Sequence, residues 1–128
     1  MKYFTINELT KTSTGISNIP NAEHIANLIY LVENLLDKAR EELGMPITVT
    51  SGYRSEAVNR RVGGVATSQH TKGEAVDLVC KDNAKLFNIL KKMNFDQLIW
   101  EKGNNIQPAW VHVSLKRIGI NRKQVIRL

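Results

Sequence analysis

The stretch Thr67 to Cys80, which reads TSQHTKGEAVDLVC, joins a polar loop to an apolar run typical of a buried strand. His70 stands in the loop, and Gly73 permits the tight reversal that leads into the run. Asp77 stands inside the run, seven residues after His70. A carboxylate among apolar neighbours is unstable without a partner. The pattern therefore predicts a loop histidine and a strand aspartate that converge on one ion.

A second histidine has a similar setting further along the chain. In Trp110-Val111-His112-Val113, the imidazole is flanked by the apolar residues of another predicted strand. Two histidines and one carboxylate, with a fourth position left for water, form a ligand set of catalytic zinc. A hydrogen-bonded His–Asp pair in the core and three unrelated polar residues are the alternatives that spacing alone leaves open.

Hydrophobic periodicity predicts an α+β fold in a single domain over residues 1–128, because helices alternate irregularly with strands. Helices are predicted from Thr5 to Gly15, from a cap at Asn21 to a stop at Gly44, from Ser55 to Val62 and from Asn83 to Met93. Strands are predicted at Ile47–Thr50, Ala75–Cys80, Phe95–Trp100, Trp110–Leu115 and, as a last edge strand, Arg122–Leu128. The final strands are expected to form a meander.

Composition and charge narrow the class of protein. The chain has 128 residues, of which 42% are hydrophobic, and this suffices for a buried core without disulfides. Its one cysteine, Cys80, is predicted to be a small buried side chain rather than a nucleophile. The net charge of +6 favours polyanionic surroundings such as cell-wall polymer, nucleic acid or anionic lipid. Zinc-finger and helix-turn-helix patterns are absent, so no specific nucleic-acid partner is expected.

Several motifs occur in an order that resembles a known family. Ser68-x-His70-x-x-Gly73-x-Ala75-x-Asp77, followed by Trp110-Val111-His112-Val113, resembles the zinc D-Ala-D-Ala carboxypeptidase family. That family includes the vancomycin-resistance dipeptidases and several phage endolysins, and it shares its fold with the Hedgehog signalling domain. Upstream, Ser51-Gly52-Tyr53-Arg54-Ser55 is similar to the small, phage-type members. The resemblance runs from about Ile47 to Ser114.

The resemblance implies a fold and a set of site residues. The fold is an antiparallel sheet flanked by helices, Hedgehog/DD-peptidase-like, with zinc on the open face of the sheet. Carried over to this sequence, the zinc ligands are His70, Asp77 and His112. Arg54 would steady the negative charge on the attacked carbonyl, and Ser68 would hydrogen-bond substrate. A surface turn residue and a loop-capping serine are the alternative interpretations of these two.

The general base departs from the family's pattern. Many relatives carry Glu, Asp or His two or three positions before the last ligand, where this chain has Trp110 and Ala109. Neither side chain accepts a proton, and Glu101 is the candidate in their place. If Glu101 pairs with Trp110 in an antiparallel pair, then Ile99 lies opposite His112, and Glu101 shares a face with that histidine.

Glu74 is a weaker candidate for the base. It stands three residues before Asp77 on the same strand, and odd offsets along a strand point to opposite faces of a sheet. The sequence therefore favours Glu101 over Glu74.

The resemblance implies hydrolysis of a peptide bond in a peptidoglycan stem, by a D,D-carboxypeptidase or an endopeptidase of the endolysin type. The expected protein is a monomer made in the cytoplasm, without a signal peptide or a membrane span, that acts at the cell wall. A phage origin is the analogy suggested by a basic chain of this kind. Two other classes stay open: a zinc-containing, Hedgehog-like wall-binding module without catalysis, and a nucleic-acid-binding protein.

Overall fold

A five-stranded sheet organises the chain in a computed structural model that describes residues 1–128. Its strands are β1 (Thr48–Ser51), β2 (Ala75–Val79), β3 (Gln97–Glu101), β4 (Trp110–Ser114) and β5 (Gln124–Arg127), in the spatial order β1-β2-β4-β3-β5. The pairs β1–β2, β2–β4 and β3–β4 are antiparallel, whereas β3–β5 is parallel. The α+β fold class and the mostly antiparallel sheet predicted from the sequence are confirmed.

The predicted meander is wrong at its last strand. In a meander β5 would pair with β4, but both edges of β4 are already occupied by β2 and β3. The chain instead crosses to the free edge of β3, where Gln124 pairs with Gln97 and Ile126 with Ile99. The chain reverses direction after β4, which is itself antiparallel to β3, so β5 runs parallel to β3.

Most of the helical segments pack against one face of this sheet, whereas the fourth α-helix and a 3-10 turn lie outside the core. The helical segments are α1 (Ile6–Thr10), α2 (Ala22–Leu31), a π-helical segment (Val32–Leu36), α3 (Asp37–Leu43), α4 (Glu56–Arg61), a 3-10 turn (Gln69–Lys72) and α5 (Asn83–Lys91). Capping boxes at Thr5 and Asn21 start the first two helices, and Gly44 follows the end of α3. The predicted Asn21–Gly44 helix is therefore confirmed as one continuous run, although its π-helical segment was not predicted. The first helix ends at Thr10 rather than near Gly15.

The two faces of the sheet have different roles, because side chains alternate along each strand. One face carries Val76, Leu78, Leu98, Val111 and Val113, all fully buried against the helices. The intervening residues of the same strands point to the opposite, open face.

Cys80, predicted to be buried, lies partly buried at the margin of the core, and burial raises the pKa of its thiol. None of the helices combines the length and the apolar character that spanning a membrane requires.

Candidate metal centre

Asp77 and His112 face each other across neighbouring strands. The register of the antiparallel β2–β4 pair places the two residues directly opposite, on the open face of the sheet. Their side chains meet there, with 3.0 Å between His112 Nδ1 and Asp77 Oδ1. The strand aspartate and the strand histidine singled out in the sequence are therefore immediate neighbours.

His70 reaches the same point from the 3-10 turn that precedes β2. Its Nδ1 lies 2.8 Å from the carbonyl oxygen of Gly52, which only accepts hydrogen bonds, so the proton resides on Nδ1. His70 Nε2 is then left as a bare nitrogen, 3.5 Å from Asp77 Oδ2. A hydrogen bond of this kind on the far nitrogen is how metal-binding histidines are held in orientation.

Two residues fix the turn that carries His70. Ser68 Oγ accepts a hydrogen bond from the His70 backbone N–H at 3.3 Å, so the serine caps the turn. Gly73 ends the turn with φ of +74°, a conformation that favours glycine. A Cβ at Gly73 would also lie 2.6 Å from the carbonyl oxygen of His24, so the glycine is required by space as well as by conformation.

The three side chains fit a single metal ion. Their potential ligand atoms all lie within 4.8 Å of one another. Donor atoms that share one ion at about 2.0–2.2 Å lie about 3–3.6 Å apart in a tetrahedral site. The separations of 3.0 and 3.5 Å from Asp77 to His112 and to His70 agree with that geometry. Two imidazoles and a carboxylate are also the donor types that zinc prefers.

The electrostatics of Asp77 favour an ionised carboxylate. Burial by itself would raise its pKa, but the neighbouring imidazoles of His112 and His70 outweigh burial and hold the pKa well below its ordinary value. The carboxylate is therefore available in the charged form that metal binding requires. The third histidine, His24, lies outside this cluster, where its ring stacks on Tyr53 and its Nδ1 accepts the Asn21 backbone N–H.

Arg54 lies beside the cluster rather than in an exposed turn. Its Nε donates to Ser51 Oγ at 3.0 Å, its Nη1 donates to Asn59 Oδ1 at 3.3 Å, and its Nη2 lies 3.5 Å from Asp77 Oδ2. The Arg54 backbone N–H also donates to the carbonyl oxygen of His70 at 3.0 Å. The guanidinium is thus held in one orientation next to the candidate ligands.

Glu101 lies on the open face as the register predicted. Ile99 is opposite His112 and Glu101 is opposite Trp110, so this prediction is confirmed. Burial is the main cause that raises the pKa of Glu101 above its ordinary value. Glu74 lies elsewhere, just before β2, where burial raises its pKa beside Lys72 and Lys116. Glu74 is not among the residues that line the cleft over the cluster.

A cleft of about 770 Å³ lies over this face of the sheet. It contains the three candidate ligands together with Arg54, Ser68 and Glu101, so the structure brings every candidate site residue into one cavity. Among the other lining residues, the sequence analysis assigned no site role to Gln69, Gln97 or Arg122. In the sequence, Arg122 stands out only as one of five basic residues among the last 13 positions of the chain, 116–128.

Arg122 and Gln69 are joined through a buried carboxylate. Asp96 is fully buried. It accepts hydrogen bonds from Arg122 Nε at 3.1 Å, Arg122 Nη2 at 2.7 Å and Gln69 Nε2 at 2.7 Å. Burial would raise the pKa of Asp96, but the bonds from Arg122 outweigh it and hold the pKa well below its usual range. Asp96 thereby ties the C-terminal segment to the residue next to His70.

A mostly antiparallel sheet whose open cleft holds a His–Asp–His cluster defines a candidate mononuclear metallohydrolase. The chain belongs to the family described as Peptidase M15, which it matches over residues 2–114. This is the zinc D-Ala-D-Ala carboxypeptidase family, so the resemblance noted in the sequence is confirmed. Its members are metallopeptidases, which supports a peptidase activity for this chain. Among curated proteins, none matches the chain in sequence.

Proposed function

We propose that the protein is a zinc peptidase that hydrolyses peptide bonds in peptidoglycan stem peptides, as a D,D-carboxypeptidase or an endolysin-type endopeptidase. The observation that carries the proposal is the meeting of Asp77, His112 and the bare Nε2 of His70 at one point of the cleft. Membership of the Peptidase M15 family supports the same chemistry. In this proposal His70, Asp77 and His112 hold the zinc.

Each of the other site residues has a role that its position supports. When bound, zinc supplies Lewis acidity toward water and toward a carbonyl oxygen. Glu101 takes a proton from the attacking water, because its carboxylate faces the cluster and its raised pKa suits proton transfer. Arg54 donates to the carbonyl oxygen as negative charge develops there, since its guanidinium is already held in place. Ser68, besides capping the turn, lines the cleft and hydrogen-bonds substrate.

The proposed place of action is the cell wall. A net charge of +6 favours approach to the anionic polymers of a wall over long distances. A phage lysis enzyme would combine this charge with a small domain, and we propose that role for a monomeric chain. The alternative of a Hedgehog-like module without catalysis is less favoured, because Glu101 lies where a base is needed.

One experiment tests the proposed function directly. The zinc-loaded protein would be incubated with purified peptidoglycan, and the released muropeptides would be identified by mass spectrometry. We expect new peptide termini at one bond type, and their absence after zinc is removed by chelation. Release of terminal D-alanine alone would identify a carboxypeptidase, and release of cross-bridged fragments would identify an endopeptidase. Tight binding to the wall without any new terminus would instead support the non-catalytic module.

A further inference from the structure

Arg122 is placed at one end of the cleft and oriented by its partner. Its Nε and Nη2 both donate to the buried carboxylate of Asp96, which fixes the plane of the guanidinium. Its side chain remains about half exposed and lines the same cleft as the metal cluster. Its remaining nitrogen, Nη1, has no hydrogen-bond partner in the protein. The cleft thus contains a guanidinium that is held in place and still has donors to offer.

The cleft has opposite charges at its two ends. Arg122 binds Asp96 immediately before β3, and Glu101 is the last residue of β3. Four residue steps from Gln97 to Glu101 separate the ends by about 13 Å. His112 lies opposite Ile99, midway between them. The only side-chain carboxylates that line the cleft are Asp77, within the cluster, and Glu101. An anionic group of a bound peptide is therefore attracted toward Arg122 and repelled from Glu101.

Building on the proposed function, we propose that Arg122 binds a carboxylate of the substrate. This contact would set the direction in which the substrate lies in the cleft, and it would make the preferred substrate an acidic peptide. Gln97, which also lines the cleft, lies beside this position. The distance from Ile99 to Gln97 is about 6–7 Å along the strand. An extended peptide advances about 3.3–3.6 Å per residue. The carboxylate therefore lies within about two residues of the bond that is cut.

Two carboxylates of a stem peptide share this chemistry. One is the free α-carboxylate of the terminal residue, and the other is the α-carboxylate that a γ-linked glutamyl residue leaves free. Four synthetic stem peptides separate these sources, with each of the two carboxylates either free or amidated. Binding of each peptide to the metal-free protein would be measured by calorimetry, and kcat/KM would be measured on the zinc-loaded protein.

The expected result is that one of the two amidations weakens binding and lowers kcat/KM by about 10- to 100-fold, as for a hydrogen bond to a charged group. In Arg122→Gln that difference between acid and amide disappears in both measurements. The proposal is overturned if neither amidation matters to the wild type, or if the difference persists in Arg122→Gln. Discrimination in binding without any hydrolysis would refute only the proposed function, and hydrolysis without discrimination would refute only this inference.

Two further variants keep the test decisive if Arg122→Gln fails to fold. Gln97→Glu adds a carboxylate beside Arg122 and leaves the Arg122–Asp96 pair intact, so it should reduce or reverse the preference for the acidic peptide. Lys123→Gln removes one positive charge next to Arg122 but outside the cleft, where its Nζ lies over the Phe95 ring. It should leave the preference unchanged. If Lys123→Gln lost the preference to the same extent as Arg122→Gln, the preference would depend on net charge alone, which would contradict a specific carboxylate site.

Discussion

Glu101 and His112 are diagonal neighbours on the open face of the β3–β4 pair. Glu101 lies opposite Trp110, and His112 lies opposite Ile99. Diagonal neighbours have Cα atoms about 7–8 Å apart, a gap that long side chains bridge. Apart from Asp77, Glu101 is the only side-chain carboxylate that lines the cleft. This relationship supports the proposed role of Glu101 as the proton acceptor beside the cluster.

We expect Glu101→Gln to retain zinc and to lose about 10²–10⁴-fold in kcat, because glutamine keeps the shape of the side chain but accepts no proton. Zinc content by mass spectrometry and turnover of a stem peptide would be measured together. Glu74→Gln is the matched control and should stay near wild type, since Glu74 does not line the cleft. Near-normal turnover in Glu101→Gln would move the base to the Gly103–Pro108 loop or leave water to act alone.

The register behind this prediction could be obtained from the sequence because it depends on local features. Alternating apolar residues on both strands define the buried face, and a single connection from Lys102 to Ala109 joins them. A slip by one residue would have turned Glu101 into the core, which the pattern disfavours. The parallel β5 was not predictable in this way. Its position depends on β2 having already taken the other edge of β4, which is a long-range relationship.

His112→Ala should remove most of the zinc, because three protein ligands reduced to two bind the ion far more weakly. The metal content of the purified variant would be compared with one zinc per chain expected for the wild type. His24→Gln is the control: it alters the third histidine, which lies outside the cluster and does not line the cleft, while glutamine preserves the capping box. Full zinc occupancy in His112→Ala would refute the ligand assignment.

Arg54→Lys should keep the fold and the zinc but lower kcat by about 10²–10³-fold, as for the loss of one donor to the developing oxyanion. Lysine retains the charge and loses the planar fork that contacts Ser51, Asn59 and Asp77. Arg60→Lys, an exposed change in α4, provides the comparison and should be neutral. Unchanged kinetics in Arg54→Lys would reduce Arg54 to a structural residue.

Gly73→Ala tests the turn that presents His70. Both Gly73 and Gly63 have positive φ, but a Cβ meets the His24 carbonyl oxygen only at Gly73, whereas it meets open space at Gly63. We expect Gly63→Ala to cost about 1–2 kcal/mol of unfolding free energy from conformation alone. Gly73→Ala should cost more and should weaken zinc binding as well. Urea denaturation and zinc titration would measure the two effects, and equal costs at both glycines would show that the close contact is unimportant.

The candidate ligands could be found from the sequence, whereas the far end of the cleft could not. His70, Asp77 and His112 are conspicuous because polar residues of metal-binding type stand in or next to apolar strands. Arg122 enters the cleft only because β5 follows the edge of β3. Asp96 was hidden for a related reason, since its partners Gln69 and Arg122 lie 27 and 26 residues away in sequence. Such partners become visible only when the fold is known.

Asp96→Asn should destabilise the protein in a pH-dependent way. Asp96 is fully buried and its pKa is held below the ordinary value, so its ionised form stabilises the folded state. That contribution is complete above the unfolded pKa of about 3.9 and declines as the pH falls below it. At pH 7 the variant should lose about 3–5 kcal/mol, as for breaking a buried ion pair. Between pH 6 and pH 3 the difference from wild type should shrink by roughly 1 kcal/mol.

Urea denaturation of both proteins across this pH range measures the effect of Asp96. Glu42→Gln is the control, because its carboxylate forms an exposed pair with Lys92 at 2.8 Å, and such surface pairs contribute about 0–1 kcal/mol. It should show a small cost at every pH. If the cost of Asp96→Asn were equally small, or constant from pH 6 to pH 3, Asp96 would not act as an ionised anchor. The hydrogen bonds by which Asp96 joins the C-terminal segment to Gln69 would then contribute little to the free energy of unfolding.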